Sequence, residues 1–327
     1  MLFPLLLHSR KVFVNALNCD PPAAELPCKC NHIHSSLHHI PSTGKDKCLH
    51  NLIFYGNMLE SVQMYKKSKK MDCINMSEIL VSVIIPAYNC ANFIHLALDS
   101  ALAQDVPLEI LVINDCSADH LDKVMEKYRQ FSQIRYLKNE KNLGVAQSRN
   151  KGVALARGTY VAFLDADDYW EKGKLAKQIA LMEEKGTVIC STARELMNPD
   201  GSLTGYVIPV KPDFTYQDLV LHNQINCSSV LIRTEVAKEF PMHHDDGHED
   251  YLMWMEVLEK YGRGCAINEP LLKYRITNTG KSGNKWNSAK MTYMTYRYMG
   301  FSFFRSLLYF ISYAFHGLRK YFFWFLE

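Results

Sequence analysis

The chain has 327 residues, of which 48% are hydrophobic and 22% are charged, and its formal net charge is +3. A globular chain of this length can bury one large core or two smaller ones, so it needs no disulfide framework. The net charge is too small to indicate a nucleic-acid partner, because proteins that follow a phosphate backbone concentrate many basic residues on one face. We therefore predict a globular protein with no nucleic acid among its partners.

The first 75 residues differ in composition from the rest of the chain. One interpretation of their cysteines and histidines is a zinc site, but the pairs Cys28/Cys30 and His32/His34 are each separated by one residue, whereas structural zinc ligands prefer two to four. The other interpretation is a disordered or non-native extension before Met76, which directly precedes the first predicted strand. We expect the second. The cysteines and histidines considered for the zinc interpretation are Cys19, Cys28, Cys30, Cys48, Cys73, His8, His32, His34, His38, His39 and His50.

The remaining five cysteines are spread through residues 90–265. Cysteines scattered in this way, in a chain large enough to fold without disulfide bonds, indicate reduced thiols and a cytoplasmic protein. The apolar opening, residues 1–7, is too short for a membrane span and follows no basic segment, so a secretory signal is not predicted.

From residue 81 onward, short apolar runs alternate with amphipathic stretches, a pattern typical of parallel strands connected by helices. Strands are predicted at residues 81–86, 108–114, 133–137 and 159–164. Helices are predicted after Ser117 as a cap and at residues 150–156 and 172–184. Beyond Asp168 we expect a hairpin through residues 198–201, a strand at 228–232 and a helix at 250–261. The fold class is therefore α/β, with a mostly parallel central sheet flanked by helices.

The C-terminal stretch, residues 301–326, is dense in Phe, Tyr and Leu but is interrupted by Arg305, Arg319 and Lys320. Its longest uncharged run, residues 306–318, is shorter than the roughly 20 residues of a spanning helix. The stretch either packs on the domain or lies in a membrane interface, with its basic groups toward anionic lipid. We expect a domain at residues 76–280 and a helical tail at residues 281–327, through which peripheral membrane association is one of the two interpretations.

A pair of carboxylates lies at the exit of an apolar strand, in the segment Phe-Leu-Asp-Ala-Asp-Asp at residues 163–168. In an extended chain, residues two apart project to the same side, so Asp165 and Asp167 can converge on one hard cation. Magnesium or manganese held in this way keeps open positions for diphosphate oxygens. Taken alone, the same acidic residues could simply cap the next helix.

Three other segments are expected at the same edge of the sheet, because ligands of open parallel sheets bind beyond the carboxyl ends of the strands. Residues 86–89 end the first strand, and Asp115 leaves the second in the same direction, where an acidic acceptor suits the ring imide of uracil. Gly144 permits a tight turn into a helix that carries Arg149, a fixed cation for a base or phosphates. Singly these residues are equally well turns and caps, but together they describe one pocket rim.

In this order and spacing, residues 82–89, 114–115, 142–150 and 163–168 resemble the family 2 glycosyltransferases. The resemblance implies a GT-A fold, a nucleotide-diphosphate sugar donor, a divalent metal (Mn²⁺ or Mg²⁺) and inversion at the anomeric carbon. By the family's pattern Asp115 and Arg149 contact the base, Asp165 the ribose or the metal, and Asp167 the metal. The full set expected to contact the nucleotide-sugar is Pro86, Ala87, Tyr88, Asn89, Asp115, Arg149, Asp165 and Ala166.

The segment at residues 247–254 resembles the family's acidic pair at the start of a helix, whose second member is the catalytic base. This resemblance assigns the base to Asp250, with Glu249 in support. A carboxylate suits the task if it stays ionised yet accepts a proton from a partly bonded oxygen. The histidines of the same loop, His243, His244 and His248, are competing candidates, and helix capping by the two acids is the structural alternative.

Residues 270–275 and 279–285 are similar to the branch of the family that builds bacterial surface polysaccharides such as capsule, O-antigen of lipopolysaccharide and teichuronic acid. Arg275 or Lys281 is a candidate to close over the diphosphate. We expect a cytoplasmic enzyme, or one peripheral on the inner face of the cell membrane, that moves a sugar from a UDP-sugar to a hydroxyl of a glycan or lipid-linked glycan.

Two alternatives stand beside this function. A nucleotidyltransferase should carry a glycine-rich phosphate loop after its first strand, where this chain has residues 86–89. A nucleotide-sugar-binding protein without turnover is the other, although Asp165, Asp167, Glu249 and Asp250 are all present.

Overall fold

The computed structural model describes residues 79–277 and 285–322. The predictions for residues 1–75 and for Lys281 lie outside these ranges, and the domain boundaries stay predictions. All described residues belong to one compact unit, Cys73–Glu327.

The first half of the chain builds four parallel strands in the order β3-β2-β1-β4. Residues Val83, Ile84 and Ile85 of β1 are all fully buried, because helices cover both faces of a parallel sheet. Alternate side chains enter opposite layers: Ile84 joins one core cluster, while Val83 and Ile85 join the other. The strands are β1 (Val81–Ala87), β2 (Leu108–Asn114), β3 (Ile134–Lys138) and β4 (Tyr160–Phe163).

The second half extends the sheet with mixed pairing. β9 is antiparallel to β4 and β6, β10 is parallel to β6, and β5, β7 and β8 add antiparallel partners at the margins. The α/β class with a central sheet is therefore confirmed, with the all-parallel part confined to the first four strands. The added strands are β5 (Tyr169–Trp170), β6 (Ile189–Met197), β7 (Leu203–Ile208), β8 (Asp213–Thr215), β9 (Leu231–Arg233) and β10 (Arg263–Arg275).

Helices cover the sheet on both faces. α3 approaches β1 so closely that a Cβ added at Gly152 would lie 2.5 Å from a methyl carbon of Ile84, which explains the glycine inside a helix. The helices are α1 (Ile94–Leu102), α2 (Leu121–Glu126), α3 (Val145–Leu155), α4 (Lys174–Lys185), α5 (Tyr216–Leu221), α6 (Thr234–Glu239), α7 (Glu249–Tyr261), α8 (Lys285–Tyr298) and α9 (Phe303–Phe322).

Two local predictions were wrong. Ser117 does not cap α2: its hydroxyl accepts a hydrogen bond from the Asn89 N–H at 3.0 Å, and α2 begins later, at Leu121. The strand predicted at residues 228–232 begins only at Leu231, because the Asn226 side chain accepts from the Ser228 N–H at 2.9 Å and starts a 3₁₀ turn. The predicted hairpin at residues 198–201 is confirmed between β6 and β7.

The C-terminal helices pack on the same unit. α8 contacts α7 and α9, and α9 also contacts α5. Ser306 is fully buried, and Tyr309, Phe310 and Tyr313 pack against the core. No helix in the described ranges combines the length and apolar character that a membrane crossing requires.

Candidate active site

The ends of β1 and β2 are tied together at one edge of the sheet. The Asp115 N–H donates to the Ala87 carbonyl at 2.8 Å, and the Ala118 N–H donates to the Asn89 side chain at 2.9 Å. Asn89 and Cys116 both adopt positive φ angles, of 50° and 61°. Such conformations are uncommon outside glycine and concentrate at functional sites. Between Ala87 and Asn89, Tyr88 is 53% exposed, so its ring is available to a ligand at this edge.

Asp115 organises the turn that enters α3. One carboxylate oxygen accepts from the Asn139 side chain and the Leu143 N–H, both at 2.8 Å, and the other accepts from the Gly144 N–H at 2.9 Å. The side chain is buried at 4% exposure. Gly144 has a φ of 90°, which explains the glycine predicted to make this turn. Asp115 thus lies at the expected strand end, and its contact with a base stays a prediction.

Arg149 bonds to two segments that lie far apart in the sequence, the acidic turn after β4 and the start of α7. Its Nη2 donates to Asp165 at 2.6 Å, and its Nη1 donates to Glu249 at 2.8 Å. The arginine and Glu249 are almost fully buried, whereas the Asp165 side chain is 31% exposed. One guanidinium therefore places the strand-exit carboxylates beside the acidic pair at the start of α7.

The acidic segment after β4 forms a compact cluster. Burial, followed by the charge of Asp165, raises the pKa of Asp167 to about 6. Burial and the neighbouring charges of Asp167 and Asp165 also raise the pKa of Asp168, whose Oδ1 accepts from the Arg275 N–H at 2.9 Å. Ala166 is buried between the two proposed metal-binding aspartates. Carboxylates that repel one another in this way are stabilised by a nearby cation.

The donor set of this cluster fits a hard divalent cation. Asp165 and Asp167 supply only carboxylate oxygens, which Mg²⁺ and Mn²⁺ prefer. Within the described ranges, no group of three or more His, Cys, Asp or Glu side chains is arranged as a metal site. Two carboxylates completed by the phosphates of a substrate are sufficient for a cation of this kind.

Arg275 is engaged in holding the acidic segment. Its Nε donates to the Asp167 carbonyl at 3.0 Å, and Nη1 donates to the Pro199 carbonyl at 2.8 Å. The guanidinium also lies 4.8 Å from the centroid of the Phe93 ring. These contacts fix Arg275 between the acidic turn and the β6–β7 hairpin. They give Arg275 a structural role, whereas its predicted closure over a diphosphate stays a prediction.

Glu249 and Asp250 begin α7, where the helix dipole favours negative charge. Burial raises the pKa of Asp250, and the charge of Glu249 raises it further, while Arg149 and His248 act in the opposite direction. Asp250 is only partly buried, and its Oδ1 accepts from the Tyr251 N–H at 2.8 Å. A partly accessible carboxyl with a raised pKa has the properties of a general base.

Two of the three competing histidines of the loop contact α8. The His244 ring stacks on Tyr298 with centroids 3.7 Å apart, and His248 Nε2 lies 3.3 Å from the Ser288 carbonyl oxygen. His243 is exposed and lies beside His244. Asp250, in contrast, is coupled electrostatically to Glu249 and Arg149.

Two contributors were missed from the sequence. Asp245 accepts from the Ala146 N–H at 3.1 Å and so caps the first turn of α3, and Ser228 Oγ accepts from the Asp165 N–H at 3.1 Å. Both act across about 60 to 100 residues of sequence. No local pattern marks such partners, although the density of acids at residues 245–250 signals an unusual loop.

Comparison with known proteins identifies the family of the chain. The family model for glycosyl transferase family 2 matches residues 82–233. A Bacillus subtilis protein assigned to teichuronic acid biosynthesis, the glycosyltransferase TuaG, is 34% identical over 74% of this chain and 97% of its own length. An Escherichia coli protein, the UDP-Glc:alpha-D-GlcNAc-diphosphoundecaprenol beta-1,3-glucosyltransferase WfaP, is 31% identical over 74% of this chain and 95% of its own.

A solved structure shows the same fold. S. aureus TarS, residues 1-349 in complex with UDP-GlcNAc, superposes with a TM-score of 0.54 at 21% identity, covering 66% of this chain and 65% of that one. The fold is thus the GT-A architecture implied by the sequence motifs, and the nucleotidyltransferase alternative is set aside. The chain belongs to glycosyltransferase family 2, and it is a glycosyltransferase of polysaccharide synthesis.

Proposed function

We propose that this enzyme transfers a sugar from a UDP-sugar to a hydroxyl of a lipid-linked glycan, with inversion at the anomeric carbon. The observation that carries the proposal is the bridge from Asp165 through Arg149 to Glu249, which brings a donor-side carboxylate next to the base candidate Asp250. The E. coli relative supports UDP-glucose and a diphosphoundecaprenol-linked GlcNAc as the first donor and acceptor to test, since those substrates are in its name.

The donor half of the site consists of the loops that end β1, β2 and β4. Residues 86–89 and the turn held by Asp115 line the nucleotide, and Arg149 keeps Asp165 turned toward it. Asp165 and Asp167 would hold a divalent cation, Mn²⁺ or Mg²⁺. When bound, that ion supplies Lewis-acid stabilisation of the charge on the departing diphosphate.

The acceptor half centres on Asp250. Its carboxylate takes the proton of the acceptor hydroxyl as that oxygen attacks the anomeric carbon from the side opposite the diphosphate. The new C–O bond forms as the sugar–phosphate bond breaks, and its electron pair leaves with UDP. The raised pKa of Asp250 favours proton uptake during the attack, and Glu249 contributes to that pKa through its negative charge.

A donor panel tests the proposal. Thermal stability should rise with one UDP-sugar in the presence of Mn²⁺, because a ligand that binds the folded state raises its apparent stability. Transfer from that donor to a short-chain GlcNAc-diphosphate lipid should yield, by proton NMR, a product of inverted anomeric configuration. Retention would contradict the single displacement. Binding without release of sugar, to the lipid or to water, would favour the alternative of a nucleotide-sugar-binding protein.

We also propose that the protein associates peripherally with the inner face of the cell membrane through α9. In the part of the helix whose side chains the structure describes, up to Phe315, large apolar side chains with exposures from 40% to 75% surround Arg305 on the side away from Ser306. Between residues 281 and 326 the sequence has seven Lys and Arg residues and no Asp or Glu. An apolar face bordered by positive charge complements an anionic bilayer rather than another protein. The exposed side chains are Phe303, Phe304, Leu307, Leu308, Ile311 and Phe315.

Vesicle flotation tests the membrane proposal. The protein should float with vesicles containing phosphatidylglycerol and much less with pure phosphatidylcholine. Phe304→Asp and Leu308→Asp should each reduce flotation, whereas Leu203→Asp, on an exposed apolar residue of β7, should not. Equal flotation with both lipids, or none with either, would contradict the proposed charge complementarity.

A further inference from the structure

The loop between α6 and α7, residues 240–248, delivers Glu249 and Asp250 to the site but contains no regular secondary structure. Its own backbone bonds are local, such as the Gly247 N–H donating to the His244 carbonyl at 2.7 Å. His244 has a positive φ of 63°, so the backbone departs from the conformations that side chains prefer. The placement of the loop must therefore come from what it contacts.

Helix α3 holds this loop at its beginning. The Asn150 side-chain amide donates to the Met242 carbonyl at 2.8 Å, and its oxygen accepts from the Met242 N–H at 2.8 Å. Both backbone groups of one residue are thus bound by one side chain. Met242 is 1% exposed, so water does not compete easily for either group.

Two neighbours of Asn150 continue the attachment. Asp245 accepts from the Ala146 N–H, and Glu249 accepts from Arg149. Three residues of α3 thus hold the segment from Met242 to Glu249: Asn150 at its start, Ala146 in its middle and Arg149 at its end. Arg149 also contacts Asp165, which makes it part of the donor side, whereas the side chain of Asn150 bonds to the backbone of Met242.

We infer that Asn150 is a positioning residue for Asp250, acting through the Met242 backbone without touching donor or acceptor. The inference rests on the proposed role of Asp250 as base. The side-chain amide of Asn150 donates through its nitrogen to the Met242 carbonyl and accepts through its oxygen from the N–H of the same residue. An alanine loses both hydrogen bonds, and an aspartate turns an oxygen toward the Met242 carbonyl oxygen. A displacement of about 1 Å at a reacting group reduces rate by about 10²-fold.

The test compares Asn150→Ala and Asn150→Asp with the control Asn268→Ala. Asn268 also bonds backbone, accepting from the Val210 N–H at 3.0 Å, but it lies on β10. With UDP-glucose, Mn²⁺ and the GlcNAc-diphosphate lipid, both Asn150 variants should lower kcat by about 10- to 100-fold. The KM for UDP-glucose and the Kd for UDP should stay within about twofold of wild type, since donor binding does not use Asn150. The control Asn268→Ala should leave kcat, KM and Kd unchanged.

Two further readouts separate positioning from general damage. The acid limb of the kcat–pH profile should shift in the Asn150 variants, because displacement changes the burial and the Glu249 charge that Asp250 experiences. Amide hydrogen exchange should accelerate in residues 242–248 and stay unchanged in β1 and β2. An unaltered profile with unaltered exchange overturns the inference, and so does a loss of kcat matched by an equal loss of UDP affinity.

Asp250→Asn, assayed in parallel, distinguishes failure of the positioning role of Asn150 from failure of the proposed function. If this variant is inactive while Asn150→Ala transfers at the wild-type rate, the positioning role is overturned and the proposed function stands. If Asp250→Asn transfers normally, the proposed mechanism fails together with the inference. Exchange in residues 242–248 reports on the Asn150 attachment even where no acceptor is turned over.

Discussion

Replacing Arg149 tests the connection on which the active site depends. In Arg149→Met the buried carboxylate of Glu249 loses its 2.8 Å partner, and Asp165 loses its 2.6 Å partner. Removing one member of a buried ion pair costs about 3–5 kcal/mol, because the remaining charge stays out of water. The Glu249 contact should dominate, since its side chain is 7% exposed, compared with 31% for Asp165, which water can partly solvate.

For a domain of this size, a loss of about 3–5 kcal/mol lowers Tm by roughly 6–20 °C. Urea unfolding of Arg149→Met measures the free energy directly. Arg149→Lys should fall between wild type and Arg149→Met, because a single ammonium cannot replace two hydrogen bonds that leave from separate nitrogens. The double variant Arg149→Met, Glu249→Gln should recover part of the loss, since it also removes the buried negative charge that Arg149 balances.

Arg233→Met is the matched control. Arg233 pairs with Glu183 at 2.8 Å, but the side chains are 29% and 48% exposed, so water solvates both partners to some extent. Such pairs contribute at most about 1 kcal/mol. If Arg149→Met loses no more stability than Arg233→Met, or if the double variant loses the sum of its single effects, the bridge between the donor and acceptor sides is refuted.

Three further predictions follow from individual groups. Asp167→Ala should remove most of the Mn²⁺-dependent gain in UDP affinity measured by calorimetry; an undiminished gain would exclude Asp167 as a ligand. The wild-type kcat should fall on the acid side at a pH above the ordinary aspartate pKa, since burial and Glu249 raise the pKa of Asp250; a limb at the ordinary value would contradict that assignment. Burial lowers the pKa of Lys174 to about 7, from 10.5, so the unfolded state holds the extra proton between these values and wild-type stability should rise with pH there. The free energy of unfolding of Lys174→Met minus that of wild type, measured in urea, should therefore be about 2–3 kcal/mol larger at pH 7 than at pH 9. A difference that does not change with pH would refute the shifted pKa of Lys174.

The first half of the fold was predictable because β1, β2 and β4 are almost wholly buried and read as short, mainly apolar runs. β2 matches its predicted bounds, and β1 extends one residue further. The second half was less accessible to prediction because its pairing is non-local. β10 runs from Arg263 to Arg275 through Asn268 and Pro270, with an irregular register against β6, and no simple alternation marks it as a strand.

The active site likewise has a part that was predictable from the sequence and a part that was not. Asp165 and Asp167 were recognisable because two-residue spacing at a strand exit places them together within one segment. The contact of Arg149 with Glu249 spans 100 residues, and the attachment of Asn150 to Met242 spans 92. Partners of this kind are chosen by the packing of α3 against the loop before α7, and spacing carries no information about them.

The most direct test of the central claim is the rate of sugar transfer by Asp250→Asn at saturating UDP-sugar and Mn²⁺, with the Kd for UDP measured on the same preparation. Loss of a general base predicts a rate lower by about 10²- to 10⁴-fold, with the Kd within about twofold of wild type. A transfer rate within a few-fold of wild type would contradict the assignment of Asp250 and, with it, the proposed mechanism.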